Sequence, residues 1–389
     1  MMRNIKNKLR LFLIHEMYDD LVRIFGPFRC LVSTTAIRIV YTWSHLFGQL
    51  KYLPEEEYRI WRKSMLSMIK EYYQSVLRVR TLPLVYTFAL AKIEVIRKTQ
   101  DCERNNPIVI LCVKNDLRKI QMLVAHYRTL GVKRFAFLDN GSDDGTYEWL
   151  LEQSDIDLYR CLDKYQTFVK EGWINRIASY YGFDRWLIFT DSDELIVYEG
   201  MENHSLEEVV KYGQKNGTKR FKALTMDTYS SGKMFGKVDD IKKEYCWIDS
   251  DSYVERKLVA GKLERLIFIG GPRYRLMKNE TLLSKYPLLY FEKGTISDNA
   301  HFQYPHEELE KAPCHLGILH YKFLDSDLAE YEKRTAKDAG FYNNGENYKQ
   351  YFDYFNSCEE PSFMYEGSIE FKDSSVLEKI NFIKPIHFE

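Results

Sequence analysis

Through the first hundred residues, apolar positions recur at three- and four-residue spacings. Leu9, Leu11, Phe12 and Ile14 are followed by Met17, Leu21 and Ile24. That period predicts amphipathic helix. The register changes after Arg104-Asn105-Asn106-Pro107. Ile108–Val113 is a continuous apolar run and reads as a buried strand. Leu117–Leu130 returns to helical spacing and stops at Gly131, a helix-ending residue. Arg134–Leu138 reads as a second strand, Thr146–Leu151 as the start of a helix and Asp157–Leu162 as a third strand. Gln166–Tyr181 reads as a helix ending at Gly182, and Trp186–Thr190 as a fourth strand. Strands alternating with helices at this spacing predict β-α-β units. The expected fold is α/β: a Rossmann-like, mostly parallel sheet flanked by helices, preceded by an N-terminal helical segment. Beyond about residue 205 the pattern is mixed. Arg220–Met226 and Leu263–Gly270 read as strands, Lys233–Ser252 as loop and 327–357 as helical. The expected divisions are a segment 1–104, a main domain 105–325 and a helical extension 326–389.

Composition adds exclusions. The chain has 389 residues, 45% hydrophobic and 29% charged, ordinary for a folded globular chain. A disordered, collagen-like or polytopic membrane protein is excluded. No uncharged apolar stretch reaches the ~18 residues needed to span a bilayer; Ile39–Leu50 and Thr81–Ala91 fall short. Lys+Arg and Asp+Glu balance at 56 each, so nucleic acid is not an expected partner. The balance hides an asymmetry. Residues 1–100 carry 17 Lys/Arg against 8 Asp/Glu, which leaves the remainder acidic. Trp43, Tyr52, Trp61, Tyr72 and Tyr73 interleave with the basic residues. Two readings follow: contact with a membrane surface through residues 1–100, or a helical subdomain packed on the body. The basic start, MMRNIKNKLRLFLIHEMYDD, carries only a short apolar run and no small-residue cleavage site, so no signal peptide is expected. Seven Cys without a CxxC predict a reducing, cytoplasmic location rather than a disulfide or zinc framework.

In parallel α/β sheets, ligands bind beyond the carboxyl ends of the strands. Three such ends are polar here: Lys114-Asn115-Asp116, Asp139-Asn140-Gly141-Ser142-Asp143-Asp144-Gly145 and Asp191-Ser192-Asp193-Glu194. Two carboxylates one residue apart after an apolar strand, Asp191 and Asp193, suit one hard cation that also meets phosphate oxygens. The competing reading is a cap on a following helix, with Glu194 in its first turn. Asn140–Gly145 alone reads as a turn. Asp139 stands apart because it closes the strand, where its carboxylate could accept from a uracil imide or a ribose hydroxyl.

The segment VILCVKNDLRKIQMLVAHYRTLGVKRFAFLDNGSDDGT, followed by FDRWLIFTDSDEL, resembles the family 2-type glycosyltransferases of GT-A fold. The nearest branch is bacterial, with Arg-Asn-Glu after the first strand, DNGSDDGT after the second and DxDE after the fourth. The resemblance covers about 108–200. It continues faintly through Gly270–Arg275, Lys285–Leu288 and His320–Phe323, and leaves out residues 1–100. Lys114-Asn115-Asp116 departs conservatively from Arg-Asn-Glu.

The resemblance implies a nucleotide-sugar donor, UDP-linked, and a glycan or lipid-linked glycan acceptor in surface polysaccharide synthesis on the inner membrane face. It implies that 105–325 is the catalytic domain. Lys114, Asn115, Asp139, Lys170, Asp191 and Arg273 would bind the donor, with Arg275 and Lys285 as further phosphate partners. Asp191, Asp193 and His320 would hold Mn²⁺ or Mg²⁺, with His301 and His315 as weaker alternatives; imidazole suits Mn²⁺ better. Inverting transfer needs a general base. Asp227, after a strand, is the first choice, and Glu244, Asp249 and Asp251 are alternatives.

Three other classes compete. An aspartyl-phosphate phosphatase also follows an apolar strand with Asp-x-Asp, but on its first strand. A sugar nucleotidyltransferase needs a Gly-rich loop after the first strand, and Lys114-Asn115-Asp116-Leu117 has no glycine. A non-catalytic carbohydrate-binding or scaffold protein on the same fold is the third.

Overall fold

The computed structural model describes residues 103–232, 234–235, 238–260, 263–325, 327–335, 341 and 345–388. Of the first 102 residues it describes 59–61, 63–65, 67, 87–88 and 90–99. Nearly all of the basic segment expected to meet a membrane lies outside the described residues. No helix among the described residues is long and apolar enough to cross a membrane.

Nine strands form one sheet. In chain order they are β1 (Glu94–Arg97), β2 (Ile108–Val113), β3 (Arg134–Asp139), β4 (Ile156–Arg160), β5 (Arg185–Phe189), β6 (Glu194–Val197), β7 (Arg220–Asp227), β11 (Ser284–Phe291) and β14 (Cys314–His320). Their spatial order is β1-β4-β3-β2-β5-β11-β7-β14-β6. Strands β2, β3, β4, β5, β7 and β14 run one way; β1, β11 and β6 run the other. The main helices of this sheet are α1 (Leu117–Thr129), α2 (Thr146–Glu152), α3 (Thr167–Ser179) and α4 (Leu206–Lys215). The expected α/β sheet flanked by helices is therefore present, and six strands end on one edge.

Alternation along the strands builds two cores. Val109, Leu111 and Val113 of β2, with Phe135 and Phe137 of β3, face a cluster that includes Ile120, Leu123, Val124 and Tyr127 of α1. Ile108 and Ile110, with Ala136 and Leu138, face the opposite cluster, filled by Trp173, Ile174 and Ile177 of α3. Successive side chains point to opposite faces of a strand, so a run that looks uniformly apolar serves both layers. Trp61 completes the second layer, 1% exposed, with its ring 5.2 Å from Phe88 and 5.6 Å from Phe291. The described part of the N-terminal segment is thus packed on the body.

Two local expectations are corrected. The segment read as helical ends in a strand, β1, which pairs antiparallel with β4 and covers that sheet edge. Glu194 opens strand β6, not a helix, because it pairs with His320 of β14. The helix-capping reading of Asp191 and Ser192 falls with it.

Past the sheet, α5 (Ile241–Glu244), β8 (Trp247–Asp249) and the hairpin β9 (Tyr253–Ala260) with β10 (Leu263–Gly270) lead to α6 (Gly271–Met277). Short β12 (Ile296–Ser297) pairs with β13 (Gln303–Tyr304), and α7 (Glu307–Glu310) precedes β14. After β14 come α8 (Asp327–Arg334), α9 (Glu346–Ser357), β15 (Ser368–Glu370) and α10 (Ser375–Lys379). Helix α8 is held to α1 by a buried ion pair, Lys119 Nζ to Asp327 Oδ1 at 2.6 Å. An aromatic cluster of Tyr229, Phe323, Tyr331, Tyr351, Phe355 and Phe363 fixes α8 and α9 against the end of β14. This places the C-terminal helices over the edge where the six strands end.

Candidate active site at the strand ends

A cavity of about 530 Å³ opens at that edge. All three polar loops singled out in the sequence reach it, and side chains lace them together. The Asn115 backbone N–H donates to Ser142 Oγ at 3.0 Å, and its Nδ2 donates to Asp143 Oδ1 at 2.7 Å. Asn115 has φ 54°, a left-handed conformation that Asn tolerates better than most residues. Leu117 N–H donates to Asp144 Oδ2 at 3.1 Å. Ser192 Oγ donates to Asp116 Oδ2 at 2.6 Å, which ties the third loop to the first.

The Asp191–Glu194 loop is a tight turn, closed by Glu194 N–H donating to the Asp191 carbonyl at 3.2 Å. It sends its carboxylates in different directions. Asp191 accepts from Lys170 Nζ at 2.7 Å through one oxygen and from Lys285 Nζ at 3.1 Å through the other. Burial pushes this carboxyl up, but the two lysines outweigh burial and hold it below the usual range. Lys285 also reaches Glu194 Oε1 at 2.5 Å. Asp193 faces His320, with Oδ2 3.4 Å from Nε2.

His320 ends β14, beside Asp227 at the end of β7. Its Nδ1 lies 2.7 Å from Asp227 Oδ1, and Arg273 Nε donates to Asp227 Oδ2 at 2.6 Å. An ionised carboxylate only accepts, so Nδ1 carries a proton toward Asp227, which leaves Nε2 as the nitrogen that could give up its proton to a cation. The Asp227 carboxyl stays at about 2: burial raises it, and Arg273 followed by His320 more than offsets burial. Burial lowers His320, but Asp193 and then Asp227 outweigh burial and raise it. Asp193, Glu194 and His320 bring three ligand atoms within 4.8 Å of one another.

The other expected residues divide. Lys114, Asn115, Lys170, Arg273, Lys285 and His301 line the cavity. Arg273 is only 4% exposed and is engaged by Asp227 and by the Tyr351 hydroxyl at 3.3 Å. Asp139 is fully buried, and its oxygens accept from the backbone N–H groups of Gly141 and Ser142, both at 3.0 Å. It shapes the turn from beneath. Asp227 is not open to solvent, because both its oxygens are engaged and its side chain is 0% exposed. The alternatives are not in the cavity wall. Asp249 binds Arg275 and Tyr229, Asp251 accepts from Tyr365, and Glu244 accepts from the Asp239 backbone. His315 sits at the other end of β14, against the Lys384 carbonyl at 2.8 Å.

Several cavity residues are given no role by the sequence. Asp116 stands out there as the end of the first polar loop and a departure from Arg-Asn-Glu; burial pushes its carboxyl up to about 6, against the pull of Lys119 and Ser192. Lys322, Arg334 and Tyr348 form the wall supplied after β14. Lys322 is placed by the end of β14, and Arg334 and Tyr348 by packing of α8 and α9 rather than by any local pattern.

No protein-family model matches the chain, and no curated protein matches it. Among solved structures it is similar to S. aureus TarS, with 16% identity over 35% of this chain and 39% of that one, at TM-score 0.24. It is also similar to the mannosyltransferase PcManGT from Pyrobaculum calidifontis, solved with GDP-Man and Mn²⁺. That match has 13% identity over 42% of this chain and 47% of that one, at TM-score 0.25. A UDP-glucose pyrophosphorylase solved with UDP-glucose matches with 9% identity over 63% of this chain and 86% of that one, also at 0.25. The chain spans less than half the length of the first two. Overlaps this slight carry no function, which has to be read from the residues of the site.

Proposed function

We propose that the chain is a divalent-cation-dependent glycosyltransferase. Its donor is a nucleotide-sugar, UDP-linked, taken up at the strand-end cavity, and its acceptor is a glycan hydroxyl. A surface glycan growing at the inner face of a membrane is the acceptor that the sequence resemblance favours. The observation that carries this reading is the chain Arg273–Asp227–His320–Asp193 beside the lysine-bound Asp191. A histidine whose far nitrogen is fixed by a buried carboxylate is the arrangement that orients imidazole as a metal ligand. Carboxylate oxygens with one imidazole nitrogen suit Mn²⁺, and suit Mg²⁺ less well. Asp193 and His320 would hold the ion, with Asp191 or Glu194 adjoining. When bound, the cation would neutralise charge on the diphosphate.

The chain's own residues do the rest. Asp227 sets the tautomer of His320, and Arg273 keeps Asp227 ionised. In this reading Asp227 is a positioning residue, not the general base. Lys170 and Lys285 hold Asp191 in the cavity wall. Ser192 and Asp116 keep the metal loop registered against the loop that follows β2. In the transfer itself, the bond from the anomeric carbon to the diphosphate oxygen breaks and its electron pair stays with the diphosphate. The acceptor oxygen bonds to the carbon and releases its proton to a carboxylate of the cavity.

Calorimetry with UDP, then GDP, each with and without Mn²⁺, tests the reading on the wild type and on Asp193→Ala/His320→Ala. Nucleoside diphosphate binding that needs Mn²⁺ and disappears in the variant is expected. Binding indifferent to both metal and variant would sink it. Release of inorganic phosphate from a phosphomonoester would favour the phosphatase class.

A further inference from the structure

The cavity holds two kinds of cation. Lys119, Lys170, Arg273 and Lys285 each have a carboxylate oxygen within 3.1 Å. Their charge is neutralised inside the protein. Lys322 and Arg334 line the same cavity, half-buried, and among the described residues neither has a carboxylate within 4.0 Å. Both face Tyr348 instead. Lys322 Nζ lies 5.3 Å from its ring centroid and the Arg334 guanidinium 5.2 Å, and Arg334 Nη1 donates to its hydroxyl at 3.4 Å.

Two cations gather beside one half-buried ring with no bonded carboxylate; Asp193 and Asp116 act on them only from farther off. The field they create is visible at the phenol. Burial pushes Tyr348 up, yet Lys322 and Arg334 outweigh burial and hold it below its ordinary value. Such a site is poised for an anion. Its position says which one. Lys322 follows His320 by two residues at the end of β14, so its charge acts on Asp193. Arg334 ends α8, and its charge acts on Asp116 in the loop after β2.

Resting on the donor reading above, we propose that Lys322, Arg334 and the Tyr348 hydroxyl form the subsite for the donor's diphosphate. They hold the negative charge that the diphosphate gains when the bond to the sugar breaks. Arg334 and Tyr348 come from helices α8 and α9, beyond the resemblance, so the C-terminal extension would complete the donor site.

Inorganic pyrophosphate is the probe, titrated by calorimetry with and without Mn²⁺ into the full chain. The variants are Lys322→Gln/Arg334→Gln and the charge-keeping Arg334→Lys. With Mn²⁺ present, the double variant should bind pyrophosphate about a hundredfold more weakly, from two lost charge-assisted hydrogen bonds. Arg334→Lys should lose less than about tenfold, since the charge survives and only the fork geometry goes. Mn²⁺ binding alone, read by its electron paramagnetic resonance, should stay within about threefold of wild type. The double variant should still melt cooperatively, which separates lost binding from lost folding. Equal pyrophosphate affinity in wild type and double variant, or no binding to wild type, would overturn the subsite. Should wild type fail to bind Mn²⁺ while pyrophosphate binding still depends on Lys322 and Arg334, the subsite stands and the metal-dependent reading fails.

Discussion

Replacing Asp227 by asparagine separates the two roles open to this carboxylate. The side chain is fully buried, with Arg273 Nε at 2.6 Å on one oxygen and His320 Nδ1 at 2.7 Å on the other. Arg273 can only donate, so the amide oxygen of the new side chain has to face it. The amide NH₂ must then face His320 Nδ1, which becomes an acceptor. The imidazole proton is then fixed on Nε2, and the lone pair that a cation would need there is lost. Changes to such supporting groups weaken metal affinity by about 10–100-fold, or about 1.4–2.7 kcal/mol. A second cost falls on the fold. Arg273 keeps its buried charge against a neutral amide, and breaking a buried pair costs about 3–5 kcal/mol. The assay is Mn²⁺ titration followed by electron paramagnetic resonance, below the melting temperature of the variant, with a denaturant melt alongside. The expected result is Mn²⁺ affinity down at least tenfold in a folded protein that is less stable by about 3 kcal/mol. Unchanged Mn²⁺ affinity with lost turnover would refute the positioning role and return Asp227 to the base.

Other predictions concern single sites. The Asp116 carboxyl is raised to about 6 by burial, so the folded state holds its proton more tightly than the unfolded one. The stability this gives is full below about pH 4 and is lost as pH rises through 6, about 3 kcal/mol at most. Asp116→Asn should therefore melt above wild type at pH 8 and near it at pH 4; a pH-independent difference would contradict this. Asp327 and Lys119 are each 7% exposed and 2.6 Å apart, so Asp327→Ala should cost about 3–5 kcal/mol in urea unfolding. A loss under about 1 kcal/mol would show that the pair does not anchor α8. A Cβ on Gly317 would lie 2.7 Å from Met226 Cε and 2.9 Å from Val197 Cγ2. Gly317→Val should therefore destabilise by at least about 1–3 kcal/mol, measured by the same melts, and a neutral result would mean that the sheet interior relaxes freely.

What the sequence reveals and what it hides have the same physical basis. Local periodicity locates β2, β3 and β5, and places α1 and α3 to within about two residues, because each buries a repeating face. The polar ends of those strands point to the cavity, because every parallel strand must end at that edge. His320 is legible only through its family resemblance. Its contact with Asp227 spans 93 positions in the chain and joins neighbouring strands through a parallel pairing that no local pattern encodes. Asp227 itself reads as an accessible base because it ends a strand. Arg273, brought over it by α6, is what closes it off. Strand β1 is hidden inside a helical period: Val95 and Ile96 suit either state, and the free edge of β4 decides. Lys322 falls in the faint resemblance at His320–Phe323 but is given no role there, and Arg334 and Tyr348 carry no signal, since an arginine and a tyrosine on late helices are ordinary until packing gathers them.

The central claim is that a cation and a diphosphate meet between Asp193, His320 and the C-terminal wall. A crystal grown with Mn²⁺ and UDP, measured at the manganese absorption edge, tests it most directly. The account predicts an anomalous peak within bonding distance of His320 Nε2 and an Asp193 oxygen, with the diphosphate facing Lys322 and Arg334. A peak elsewhere, or UDP bound away from this edge of the sheet, would contradict it.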